Sequence, residues 1–359
     1  MRSLNASLLL ILCAAFASAS VVACSGTGDD AATGDDQNQT AALSCAPAPT
    51  CAAAPFAAPP HRDWRHAVKS RVDVAVGNAN HRGRDLFVNP GAPQIVIAKM
   101  AYGIVDKDLE DEEVDVYVQR DCGDAWELLG TTITTGENGP HPTVEGVDDS
   151  QGRVYFQIPE SRRLGPGRHR LRLVVAGDGT STDLFLDIVP PKTPFFISDV
   201  DGTLTSSENI EFLKLLEGEL PDTHPGAPEA LRALAAKGYR PMYVTARPEW
   251  LVQRTRDFLD KHGFPPGIVH TSTSLVGAGF GASAATFKSG ELGLLAAKGL
   301  VPAFAFGNMP SDSDAYGGAN IQPPEHRIFY QISGAFTGRR IDSYAELVPG
   351  FEALPGACH

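Results

Sequence analysis

The chain reads as two folded parts in series: an all-β sandwich over residues 65–191 and a doubly wound parallel α/β domain over residues 192–359. Three observations predict this. First, 359 residues exceed what one hydrophobic core usually serves. Second, short apolar-alternating runs between about 65 and 190 are separated by turn residues, the pattern of antiparallel strands. Third, from 192 onward apolar runs alternate with helical segments, the rhythm of βαβ units around a parallel sheet.

The segment before the first folded part reads as targeting and tether. Arg2 supplies a sparse charged start, and Leu8 to Ala19 is an apolar run flanked by small residues. Val21-Val22-Ala23-Cys24 then resembles a bacterial lipobox, in which the cysteine is lipidated. The expectation is a lipoprotein signal over 1–23, lipidation of Cys24, and an exported protein anchored to a membrane of a bacterial cell envelope. Cleavage near Ala19 and an uncleaved anchor are the rival readings. Residues 24–64 are rich in Ala, Pro, Asp, Gly and Thr and bury too little to offset their ordering entropy, so a disordered tether is expected. Of six cysteines, Cys13 falls in the signal and Cys24 takes lipid. Cys45, Cys51, Cys122 and Cys358 allow three pairings; Cys45–Cys51 with Cys122–Cys358 is expected, because the first two lie close in sequence.

Composition narrows the function. An apolar content of 43% and a charged content of 20% describe a soluble globular protein. A formal net charge of −13 argues against nucleic acid as a partner. It also means that an anionic ligand needs local positive charge, most simply a metal ion.

In the first part, the runs Val72–Val76, Gln94–Tyr102, Glu113–Gln119, Trp126–Ile133, Arg153–Ile158, His169–Val175 and Asp183–Val189 read as strands. Turn signals such as Asn89-Pro-Gly91, Gly165-Pro-Gly167 and Gly177-Asp-Gly179 separate them. Seven short strands of this kind suggest an immunoglobulin-like sandwich. The acidic run from Asp106 to Glu113 lacks the glycine and ligand spacing of a calcium loop, so a solvated acidic turn is expected. Pro190-Pro191 ends this part.

In the second part, Phe195–Ile197, Pro241–Val244, Ile268–His270, Ala303–Phe306 and Ile328–Ile332 read as strands. Asn209–Glu217, Ala227–Lys237, Glu249–His262 and Ser283–Lys298 read as helices, with Gly238 closing the second and Leu251, Phe258 and Leu259 as core residues of the third.

The chemistry gathers at strand ends. Phe195-Phe-Ile is a buried strand that delivers Asp199 and Asp201, followed at once by Gly202, Thr203, Leu204 and Thr205. Ligands of open α/β sheets bind outside the carboxyl ends of strands, so two carboxylates there suit a metal and a phosphoester. The next strand ends at Thr245-Ala246-Arg247, where a hydroxyl beside a helix start either binds a phosphoryl oxygen or caps the helix. Lys288 lies in a helix ahead of the following strand, which ends at Gly307-Asn308 with Asp312 four residues on. Asp314 is the substitute if the register differs by one turn, and His224 is a weaker candidate, read as a helix cap. Magnesium is a hard cation that takes oxygen ligands and waters. Asp199, Asp312 and the main chain of Asp201 supply such oxygens.

The DxDGTLT string resembles the first motif of the haloacid-dehalogenase-like phosphatases. The later segments, Thr223-His224-Pro-Gly226, Gly238-Tyr239 through Thr245-Ala-Arg247, Phe287-Lys288, and Phe306-Gly-Asn308 through Asp312 to Tyr316, resemble the lipin-type phosphatase domain over about residues 194–335. That family holds magnesium-dependent phosphatidate phosphatases and also the C-terminal domains of phosphatidylinositol-transfer proteins, which bind phosphatidic acid without hydrolysing it. The resemblance implies a phosphoric monoester hydrolase with Mg2+ as cofactor and phosphatidic acid or another phosphomonoester as substrate. It implies Asp199 as nucleophile and Asp201 as general acid and base, with Thr245 and Lys288 completing the catalytic set. Gly202, Thr203, Ala246, Arg247 and Asn308 would bind substrate, and Asp199, Asp201 and Asp312 would hold the metal. The alternative is a non-catalytic module that binds or transfers anionic phospholipid; the retained Asp199 and Asp201 pair favours the enzyme.

Overall fold

A computed structural model describes residues 47–137, 143–206, 219–279 and 281–357. The signal segment, Cys24, Cys45, Cys358 and the helix expected over 209–217 lie outside the described residues.

The first part holds helix α1 (Ala67–Val74) and the strands β1 (Arg82–Arg84), β2 (Leu86–Val88), β3 (Ile95–Lys99), β4 (Ala101–Tyr102), β5 (Lys107–Asp108), β6 (Glu113–Gln119), β7 (Glu127–Ile133), β8 (Arg153–Gln157), β9 (Gly167–Val175) and β10 (Ser181–Ile188). One sheet has the order β1-β3-β8 and a second the order β2-β10-β9-β6-β7, with β4 and β5 as a two-stranded ribbon. Strand periodicity explains the pairing of the sheets. Val114, Val116 and Val118 of β6, Leu171, Leu173 and Val175 of β9, and Leu184, Leu186 and Ile188 of β10 all point inward into one core.

Several expectations fail here for identifiable reasons. Val72–Val76 is not a strand; most of it belongs to α1, whose Val68 and Val72 face solvent. The helix is started from afar, since the Glu112 carboxylate accepts the main-chain N–H groups of Arg65 and His66 and the Ser70 hydroxyl. The acidic run is largely paired and not simply solvated: Asp106 pairs with Arg82, Asp108 with Lys99 and Glu110 with Lys69, while Asp111 is exposed. The described end of the expected tether is packed against the sandwich. Phe56 lies edge-on to Tyr117 and Trp126, and Arg62 grips Asp115 at 2.8 and 2.9 Å. A Cys51–Cys122 disulfide pins this segment and overturns the expected pairing of Cys45 with Cys51 and of Cys122 with Cys358.

The second part holds β11 (Phe195–Asp199), α2 (Ala227–Ala236), β12 (Arg240–Pro248), α3 (Val252–Lys261), β13 (Ile268–Ser272), α4 (Ala282–Ala297), β14 (Phe304–Gly307), α5 (Pro310–Gly318), β15 (Arg327–Tyr330), β16 (Arg339–Ile341) and α6 (Val348–Glu352). The six strands form one parallel sheet in the order β13-β12-β11-β14-β15-β16. From β11 the chain builds outward to β13, then crosses back to β14, so β11 flanks the point where strand order reverses and where ligands of such sheets sit. One face carries α2, α3 and α6 through Leu231, Phe258 and Phe351. The other carries α4 and α5 through Leu292, Leu295 and Tyr316, together with Phe87 and Val189 of the sandwich. The two parts therefore share a core.

Candidate phosphate site at the carboxyl edge of the sheet

β11 is buried along its whole length, which fixes Asp199 at the middle of the sheet edge. The chain then turns through Gly202 at φ +72°, a conformation that favours glycine. Three contacts pin the turn. The Gly202 N–H donates to Thr205 Oγ1 at 2.9 Å, His224 Nε2 meets the Gly202 carbonyl at 3.1 Å, and the Tyr344 hydroxyl donates to the Thr203 carbonyl at 2.8 Å.

Lys288 of α4 reaches into this edge, and its Nζ donates to Asp199 Oδ1 at 2.6 Å and to Asp312 Oδ1 at 2.5 Å. The other oxygen of Asp312 accepts the main-chain N–H groups of Asn308 and Met309, both at 3.0 Å, closing the start of α5. Gly307 leaves no room for more: a Cβ there would lie 2.5 Å from Asp312 Cβ. Thr203 Oγ1 stands 3.0 Å from Asp199 Oδ2 and 3.1 Å from Asn308 Oδ1, its single proton serving one of them at a time.

Asp201 belongs to a second cluster. Arg247 Nη2 and Nε donate to its Oδ1 at 2.7 and 2.9 Å, and Thr245 Oγ1 donates to its Oδ2 at 2.7 Å. Arg247 is steadied in turn by Thr255, 3.1 Å from Nη1, and the Ala246 carbonyl accepts the N–H of Ala278 at 2.8 Å. The bulge in β12 between Thr245 and Pro248 is what turns Arg247 back toward Asp201.

Electrostatics follow from burial. Asp199 is 4% exposed and Asp312 fully buried. Burial pushes the Asp199 carboxyl up to about 7 against the pull of Lys288, with Asp312 and Asp201 adding to the rise. Burial works against the Lys288 ammonium, but Asp199 and Asp312 outweigh it and hold its pKa above the ordinary value. Three carboxylates face two cations, a formal charge of −1 at the site.

Every described candidate can now be placed. Asp199, Lys288, Asp312, Thr203 and Asn308 meet in one cluster, and Asp201, Thr245 and Arg247 in its neighbour. Asp314 is exposed and away from both. His224 packs against Tyr330 with ring centroids 4.0 Å apart and supports the turn. As to a metal, Asp199 and Asp312 converge on one cationic nitrogen, which is the donor chemistry a hard divalent ion takes. The side chain of Asp201 is committed to Arg247 and Thr245. Among the described residues no group of three or more His, Cys, Asp or Glu stands together as a metal site. Tyr344, whose hydroxyl supports the turn after β11, is a lone residue with no motif around it in the sequence.

Residues 79–188 match the family described as PITM 1-3, beta-sandwich domain, and residues 196–331 match PITM 1-3, LNS2 domain. Each folded part is thus similar to one PITM 1-3 domain, in the same order along the chain. Among similar proteins, Protein retinal degeneration B of Drosophila melanogaster is 32% identical over 221 residues, covering 60% of this chain and 16% of the relative. The human Membrane-associated phosphatidylinositol transfer protein 2 is 33% identical over 222 residues, covering 60% of this chain and 15% of the relative. The human Membrane-associated phosphatidylinositol transfer protein 3 is 31% identical over 221 residues, covering 60% and 20%. The chain therefore spans a fifth or less of the length of these relatives. They come from fly and human, and the two human proteins are named membrane-associated phosphatidylinositol transfer proteins; this overturns the expected placement in a bacterial cell envelope. Among the described residues no helix is long and apolar enough to cross a membrane.

Proposed function

We propose that this chain is a binding module for an anionic phospholipid that ends in a phosphomonoester, the chemistry of phosphatidic acid. The observation that carries the reading is the state of Asp201. Both of its oxygens accept hydrogen bonds from Arg247 and Thr245, so the residue expected to pass a proton is spent on holding the site. The names of the similar proteins, membrane-associated phosphatidylinositol transfer proteins, support a phospholipid as the ligand.

Lys288 and Arg247 are the cations that a phosphate would meet. Each is already neutralised by carboxylates, so an incoming dianion faces a formal −1 and is repelled. A magnesium ion held by Asp199 and Asp312 would supply the missing positive charge. Thr203, in the pinned turn after β11, and Asn308, just past the end of β14, then offer polar contacts to phosphate oxygens.

Vesicle sedimentation tests this. Phosphatidylcholine vesicles carrying phosphatidic acid are expected to bind the protein when magnesium is present. Chelation should release it, and Lys288→Met should lose it. Equal binding to vesicles of phosphatidylcholine alone sinks the reading.

Hydrolysis is the second reading, and one feature favours it: Asp199 and Asp201 are both present at the end of β11. In that reading an Asp199 oxygen bonds to phosphorus, the bond to the lipid alcohol breaks, and a protonated Asp201 gives the leaving oxygen its proton; a water that Asp201 then deprotonates attacks phosphorus, the bond to Asp199 breaks and phosphate leaves. Phosphate release from the same vesicles, absent in Asp199→Asn, distinguishes it from binding alone.

A further inference from the structure

In the run Arg82-Gly83-Arg84-Asp85 of the sandwich, the side chains of Arg82, Arg84 and Asp85 reach across to the part that carries the site. Arg82 and Arg84 are two apart on β1 and so project from the same side of the strand. Arg82 Nη2 donates to Glu249 Oε1 at 2.9 Å. Glu249 lies two residues beyond Arg247, and Arg153 of β8 holds its two oxygens at 2.8 Å each. Arg84 Nη2 donates to Glu291 Oε1 at 2.6 Å. Glu291 lies three residues beyond Lys288, on the same side of α4, and its other oxygen is 2.5 Å from His270 Nδ1. Gly83 projects from the opposite side of β1 onto β10, where a Cβ would lie 2.5 Å from Leu184 Cβ. Asp85 is fully buried and accepts the N–H of Val269 on β13 at 3.0 Å and Arg256 Nη2 of α3 at 2.7 Å.

We propose that β1 of the sandwich is the brace that positions both cations of the phosphate site: Arg82 sets the Arg247 turn through Glu249, and Arg84 sets the Lys288 helix through Glu291. The sandwich is then a structural half of the site and not an appended module. Arg82, Arg84, Glu249 and Glu291 are positioning residues, since each acts through a neighbour. The pattern is specific because two links from one short strand end on the two segments that carry the cations. The buried charges are matched across the boundary, with Asp106 on the far side of Arg82 and His270 on the far side of Glu291. Glu249 bears this out: burial raises its carboxyl, yet Arg82 and Arg153 hold it below its ordinary value.

The effect on affinity rests on the phosphate-binding reading; the effect on local mobility does not. Arg82→Met and Arg84→Met, made in the full chain, are compared with the parent by amide hydrogen exchange and by binding to phosphatidic-acid vesicles with magnesium. Arg82→Met is expected to speed exchange in residues 245–251, and Arg84→Met in residues 284–292, while the amides of β6 and β9 stay as in the parent. Vesicle binding should weaken at least tenfold in each. Arg82→Lys and Arg84→Lys keep the charge and should recover most of both losses, which also covers a Met variant that does not fold. Unchanged exchange in the two segments overturns the brace, as does faster exchange spread evenly over the whole chain. If the parent itself ignores phosphatidic acid, the phosphate reading fails while exchange still decides the brace.

Discussion

The clasp of Lys288 on Asp199 and Asp312 is the most concentrated interaction of the site, and it is buried. Breaking a buried ion pair from one side leaves the other charge without its partner, which typically costs about 3–5 kcal/mol. Here two carboxylates would be left facing one another, so Lys288→Met should fall in the upper part of that range. Urea denaturation of the parent and variant measures it, as a lower midpoint at unchanged slope. A loss under about 1 kcal/mol would mean that the ammonium is solvated and does not hold the pair. The sequence exposed this residue through its place in an ordered series of motifs. It did not expose how Asp201 is used. Arg247 lies inside β12 and faces back toward Asp201 where the strand bulges between Thr245 and Pro248, and no local pattern announces a bulge.

At the level of elements, regular periodicity was readable and long-range polar anchoring was not. β6, β9 and β10 alternate cleanly, and the helix expected over Ser283–Lys298 is found as α4 at Ala282–Ala297. α1 escaped because its start is fixed by Glu112, more than forty residues away. β1 and β2 escaped because each is three residues long, too short to show a period. The β4 ribbon has an anchor of the same kind, and it predicts a pH response. His81 Nδ1 accepts the Ala101 N–H at 3.2 Å while Nε2 stands 2.8 Å from Thr180 Oγ1, an arrangement that needs the neutral ring. Burial pushes this imidazole down to about 4 from its ordinary 6.5. Below 6.5 the unfolded chain takes up a proton that the folded chain refuses, so stability falls as pH drops from about 6.5 to about 4. Thermal unfolding across that window should show the fall, and His81→Gln should flatten it. A parent and variant with parallel pH profiles would remove His81 as the cause.

For the whole molecule the question is whether sandwich and sheet are two folding units or one. Domains joined by a linker bury a modest, fairly polar interface and move against each other by default. This boundary differs in kind. Phe87 and Val189 of the sandwich sit in the same apolar cluster as Phe195, Ile197 and Leu292. Arg82, Arg84, Arg153 and Asp85 place charged groups inside the contact, paired with Glu249, Glu291 and Arg256. Separating the parts would strand these charges without partners in surfaces shaped to exclude water, and each is costly to leave unpaired. Opening the boundary therefore costs as much as unfolding either side, and the two should melt together. Calorimetry is expected to give one transition whose van't Hoff and calorimetric enthalpies agree. Two resolved transitions, one for residues 65–191 and a second for the sheet, would show that the boundary opens first. In that case the ion pairs across it are incidental to the fold.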